Sequence, residues 1–140
     1  MAIQGITDGV RISPKNDSGG DIYPYRCVAG KAQGTAQYPS ATGKDFLGVT
    51  LKDLRYESGV TGDGKALPVQ INGVVEIDCE GAITVFDYVK VSGTVGKIGS
   101  AGAANSLSVA TGALTPIVGI ALEAGVNGSR ISVLLRPMLV

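Results

Sequence analysis

The sequence predicts an all-β protein: a small antiparallel β-barrel or two-sheet sandwich built from a duplicated three-strand unit, with an N-terminal arm and long loops. Three observations carry this. Apolar residues recur at period two, most clearly as Leu67, Val69, Ile71, Val75, Ile77 and Cys79 within Leu67–Glu80, the spacing that puts side chains on one face of a strand. Glycine makes up 21 of 140 residues, about twice ordinary usage, as many turns between short strands would need. No window of about eleven residues keeps a helical 3.6 period.

The stretch Leu67–Glu80 is the expected core strand. Its other face, Pro68, Gln70, Asn72, Val74, Glu76, Asp78 and Glu80, is mostly polar. The stripe breaks at Asn72-Gly73, which suits either a hairpin turn or a bend within a strand. The short arms a hairpin would have favour the bend. Residues 1–12 alternate weakly and read as an edge strand or arm, and 13–21 as loop, so 1–21 is taken as an N-terminal arm and loop and 22–140 as a single β domain. Ile22–Val28 is aromatic and β-branched, but Pro24 cannot donate to a ladder and argues for an edge. Residues 29–45 read as loop, Phe46–Leu51 as a strand, and 52–65 as a charged connection. Ile83–Val91 is the next strand, with Asp87 expected at a rim or accepting a turn hydrogen bond. Ser92-Gly93 leads into a hairpin through Val95–Ile98. Residues 99–116 are small and almost uncharged, an ordered loop or flat extended segment. Ile117–Leu122 and Arg130–Leu135 are strands, the second ending before Pro137.

The chain contains an internal echo. Phe46-Leu47-Gly48-Val49-Thr50-Leu51 aligns with Ile117-Val118-Gly119-Ile120-Ala121-Leu122. Each is preceded by a strand with paired aromatic positions, Tyr23/Tyr25 or Phe86/Tyr88. Each is followed by a glycine-containing loop and an alternating strand, Leu67, Val69, Ile71 or Ile131, Val133, Leu135. A duplicated meander that closes on itself hides most strand edges. Gly48 and Gly119 then mark places where a Cβ would clash with a crossing strand.

Composition narrows function. Twelve basic and 12 acidic residues leave no net charge, which argues against nucleic acid as a partner. No apolar run is long enough for a helical membrane span, and the first residues lack an export-signal pattern. Histidine is absent, which removes the commonest general base and transition-metal ligand. Cys27 and Cys79 are expected as buried free thiols. Glu76, Asp78 and Glu80 share one strand face and could hold a hard cation, although a solvated face explains them as well. No nucleophile elbow, phosphate loop or calcium-loop spacing is present, so no catalytic residue, cofactor site or metal site is assigned and the chain is not expected to be an enzyme.

Gly73-Val74-Val75, Asp87-Tyr88-Val89, Gly96-Lys97-Ile98, Ile117 to Ala124 and Ile131 to Leu135 together resemble the small β-rich capsid cement, or decoration, proteins of tailed bacteriophages. That pattern combines a Gly-Asp-x-Val strand, a Gly-Lys-Val hairpin, an Ile-Gly-x-Ala-x-Glu strand and a closing Val-x-Val strand. The likeness covers roughly residues 44–136. Phe86 stands where the pattern carries glycine before Asp87. The resemblance implies a structural virion protein, made in the host cytoplasm, that sits on the capsid exterior and bridges major capsid protein subunits as a homotrimer. Apolar residues outside the regular strands are then the candidate subunit and capsid contacts: Ile3, Ile6, Val10 and Ile12 in the arm, Leu107, Val109 and Leu114 in the long loop, and Met138, Leu139 and Val140 in the tail. The competing class is a non-catalytic ligand- or carbohydrate-binding β module using Tyr23, Tyr25, Tyr38 and Tyr56. A metal-dependent hydrolase built on the Glu76/Asp78/Glu80 face is a third class.

Overall fold

Period-two alternation and frequent turns give this chain strands, and no helix, among the described residues. The computed structural model describes residues 9–40, 43, 45–103 and 116–139. In chain order the strands are β1 Arg11–Ile12, β2 Lys15–Asn16, β3 Cys27–Gly30, β4 Thr35–Gln37, β5 Phe46–Thr50, β6 Val69–Gln70, β7 Gly73–Asp78, β8 Asp87–Ser92, β9 Lys97–Ala103, β10 Pro116–Ala121 and β11 Arg130–Leu139. They form two sheets, ordered β1-β6-β5-β3-β4-β2 and β7-β11-β10-β8-β9.

The stretch Leu67–Glu80 does bend, and the bend carries the chain from one sheet to the other. β6 pairs with β1 and β5, whereas β7 pairs with β11, so Asn72-Gly73 is not a hairpin. Leu67, Val69, Val75, Ile77 and Cys79 are all buried. The opposite face is drier than its composition suggests. Val74 is buried, and so is Gln70, whose side-chain amide donates to the carbonyls of Asn72 and Val74 at the crossing.

The duplication is real and larger than the three-strand echo. Removing β2 leaves β1-β6-β5-β3-β4 in the first sheet, the same arrangement as β7-β11-β10-β8-β9 in the second. Registers match as well: Val49 faces Gln70 and Thr50 faces Val69, as Ile120 faces Leu134 and Ala121 faces Val133. Loop hydrogen bonds repeat in the same way. Tyr25 N–H donates to Thr50 C=O, and Phe86 N–H to Ala121 C=O. Ile22 exchanges two backbone bonds with Thr61, and Ile83 two with Gly125. In each half the first strand starts antiparallel to the last strand and ends parallel to the second hairpin strand: Lys15–Asn16 against β4, Cys79 against Ile98. Each sheet therefore curls back on its own first strand.

The interiors correspond at eight positions. Ile12, Ile22, Val28, Ala36, Leu47, Leu67, Val69 and Ile71 line the first core. Val75, Ile83, Val89, Ile98, Val118, Ile131, Val133 and Leu135 occupy the matching places in the second. Cys27, Val49 and Phe46 of the first half join the second core and so weld the halves together. Both cysteines are free and buried, and burial pushes the Cys27 thiol far above its ordinary pKa. The glycine pair has the same job twice. A Cβ on Gly48 would lie 2.6 Å from the Gln70 carbonyl oxygen, and one on Gly119 would lie 2.1 Å from that of Leu134.

Several boundaries differ from expectation. The strand expected over Ile22–Val28 begins only at Cys27, because Tyr25 turns the chain with φ 64°. β3 is then an interior strand between β5 and β4, not an edge, and Pro24 lies outside it. Residues 13–21 and 29–45, expected as loops, contribute β2 and β4. The strand expected from Ile83 starts at Asp87, after Phe86 turns the chain with φ 67°. That backbone conformation favours glycine, which accounts for the glycine in the resembled pattern. Asp87 does accept a turn bond, from Thr84 N–H, and a second from the Ser100 hydroxyl. β11 runs on through Pro137 to Leu139. A bulge sets Arg136 and Pro137 against Val118 alone, and a bulge tolerates a residue without an N–H.

The glycine argument predicts that Gly119→Ala lowers stability by about 1–3 kcal/mol, as overpacking against backbone does. Gly20→Ala, where an added Cβ meets nothing within 4 Å, should change it by less than about 0.5 kcal/mol. Equal denaturation midpoints for the two variants would contradict the close-approach reading.

Candidate functional site

Two constructions stand out beyond the repeated framework: the seam between the halves, and a loop that is longer in the first half than in the second. At the seam, Asp78 places one carboxylate oxygen 2.9 Å from Arg26 Nε and the other 2.8 Å from Arg130 Nε. The Arg130 guanidinium lies 3.6 Å from the Tyr25 ring centroid, close enough for a cation–π contact. Backbone bonds join the same place. Asp78 N–H donates to Tyr25 C=O at 2.9 Å, and Cys27 N–H to Gly96 C=O at 2.7 Å. Arg26 also donates to the Val95 carbonyl. Asp78, the middle member of the acidic face, thus spends both oxygens on arginines. Among the described residues, no group of three His, Cys, Asp or Glu side chains is placed to hold a metal ion.

The loop lies between β5 and β6. The first half uses Leu51–Lys65 where the second uses the shorter Leu122–Ser129. Asp53 organises it. Its carboxylate is 2 % exposed and accepts from the Arg55 backbone N–H, the Arg55 guanidinium and the Thr61 hydroxyl. Arg55 also donates to the Ala66 carbonyl, tying the loop to the start of β6. Asp53 N–H donates to Gly59 C=O, and Tyr56 N–H to Asp53 C=O. The Arg55 hydrogen bonds hold the Asp53 carboxyl at about 2, below its ordinary 3.8. With Asp53 fixed inward, Leu54 points out and is 89 % exposed. Beside it an open cleft of about 560 Å³ is lined by Arg11, Ser13, Tyr25, Leu51, Leu54 and Pro68.

None of the described contact residues named from sequence lines this cleft. Ile3, Ile6, Leu107, Val109, Leu114 and Val140 are outside the described residues. Val10 is exposed, and its N–H donates to the Asn72 side chain. Ile12 is half-buried and packs on the first core. Met138 and Leu139 pair with Ile117 and Pro116 in the β10–β11 ladder. The four tyrosines do not share a groove. Tyr38 packs on the first core and accepts from Tyr23 N–H, Tyr25 lies under Arg130, and Tyr56 sits on the inserted loop under Arg55. Leu54 was missed because a lone leucine among charged residues carries no periodic signal. Aligning the two repeat copies end to end would have exposed the extra loop.

Neither family models nor curated protein sequences match this chain. Among solved structures, its fold is similar to that of the head fibre gp8.5 N base of bacteriophage phi29. The TM-score is 0.59 at 15 % sequence identity, with 91 % of this chain and 93 % of that one covered. At that identity the likeness speaks for the fold.

Asp53 gives the loop a pH signature. Its folded pKa is depressed, so its ionised form stabilises the fold fully above about pH 4, and the contribution is lost as pH falls towards 2. Asp53→Asn should cost about 1–3 kcal/mol at pH 6 and flatten the acid decline of the denaturation midpoint between pH 4 and 2. A decline parallel to the wild type would contradict this role for Asp53.

Proposed function

We propose that this chain is a structural, non-enzymatic virion protein of a bacteriophage that attaches to the outside of the assembled head. The observation that carries the reading is the shared fold along nearly the whole length of a phage head fibre base, a likeness that spans both halves and not one sheet alone. The resemblance to capsid cement proteins points the same way. The construction suits the role: two docked β units, a core of aliphatic side chains, and acids spent on structural arginines at the seam.

In its finer form the reading makes the major capsid protein the partner and a homotrimer the attached species. Binding only the assembled lattice stabilises it by mass action, by about 2.7 kcal/mol per site when free protein is at 100 times Kd, and many copies act together.

The test is co-sedimentation of the purified protein with heads of the phage whose genome encodes it, alongside unassembled capsid subunits. Saturable binding to heads, a raised head melting temperature and little binding to free subunits are expected. Absence of binding to heads, with binding on a glycan array through the exposed tyrosines, would overturn the proposal in favour of a carbohydrate-binding module.

A further inference from the structure

The loop of residues 51–65 is longer than its counterpart of residues 122–129 in the second half, so its extra length is not required by the repeated framework. Two features meet beside it. The cleft beside it lies over the outer face of β1, the start of β6 and the end of β5, and is apolar through Leu51, Leu54 and Pro68. Its rim is cationic. Arg11, Lys52 and Arg55 line it, and the acid among them, Asp53, is buried and satisfied by Arg55 and Thr61. Neither Arg11 nor Lys52 is in an ion pair among the described residues. In a chain with no net charge, this is a local positive field around an apolar hollow.

We propose that this cleft receives an extended segment of a partner protein, laid across the outer face of β1 and the start of β6, with apolar side chains in the hollow and a carboxylate against Arg11 and Lys52. The inference rests on the virion reading for the partner's identity, a protein of the head surface, but not for its chemistry. The cleft is within the ~300–1,000 Å³ range of ligand sites, but it is open along one side, which suits a continuing chain better than an enclosed small molecule. The Asp53 bonds fix Leu54 before binding, so little ordering entropy is spent when the partner arrives.

The experiment has two arms on the full chain. In the first, head binding is compared for wild type, Leu54→Asp, the double reversal Arg11→Glu/Lys52→Glu, and Val126→Asp as an exposed control. Leu54→Asp should bind at least about tenfold more weakly, a change of about 1.4 kcal/mol. The double reversal should lose both affinity and the salt dependence of binding, and Val126→Asp should match wild type. Unchanged circular dichroism and melting temperature identify variants that are folded. In the second arm, nuclear magnetic resonance follows titration with a synthetic peptide of alternating valine and glutamate, and with its valine–lysine counterpart. The acidic peptide should move resonances of Arg11–Ser13 and Leu51–Arg55, and the basic one should not. If wild type binds no heads while the acidic peptide still maps to the cleft, the virion reading falls and the cleft stands. If Leu54→Asp and the double reversal bind heads like wild type, or the two peptides act alike, the cleft proposal is overturned.

Discussion

The structure depends on the grip of Asp78 on two arginines from opposite halves. Arg26 belongs to the turn before β3, and Arg130 opens β11. The Asp78 side chain is 15 % exposed and that of Arg26 17 %. Such an ion pair contributes more than a surface pair, but leaves a costly unpaired charge if either partner is removed. The neighbouring backbone bonds, Asp78 to Tyr25 and Cys27 to Gly96, make the contact directional. Cys27, Val49 and Phe46 then bury apolar surface in the second core. Each sheet has a small core of its own, and small cores are marginal alone, so the seam that joins them matters to both.

The repeat also shows which features are framework and which are additions. Gly48 and Gly119, the aromatic turns at Tyr25 and Phe86, and the paired cores recur because each half solves the same closure problem. The Asp53 loop does not recur. An exposed leucine at the tip of a longer loop adds nothing to the core, and insertions into repeats are where binding surfaces are commonly built. The equivalent aromatic turns have different fates as well. Tyr25 lies under Arg130 at the seam, whereas Phe86 is 67 % exposed.

Much of the fold was legible in the sequence, because it is written in side-chain alternation. β5, β7, β10 and most of β11 follow apolar stripes, and the Gly48/Gly119 pair revealed the duplication. The repeat was read as three strands rather than five because Thr35-Ala36-Gln37 and Lys97-Ile98-Gly99 share position without sharing side-chain character. β1 and β2 are two residues each, too short for any period. Pro24 misplaced β3 at an edge, since the turn at Tyr25 removes the proline from the strand altogether. The candidate surface was less legible. Burial of Asp53 depends on Thr61 and on the Ala66 carbonyl, contacts that no local pattern encodes. Exposure of Leu54 follows from that burial, not from its neighbours in sequence.

The central claim is that the two halves act as one body through the seam. Native-state hydrogen exchange tests it at two amides that cross the seam, Cys27 N–H to Gly96 and Asp78 N–H to Tyr25. The account predicts protection comparable to that of Val133 in the second core, with all three opening only on global unfolding. Rapid exchange of Cys27 and Asp78 while Val133 stays protected would mean that the halves part in the native state, and would contradict it.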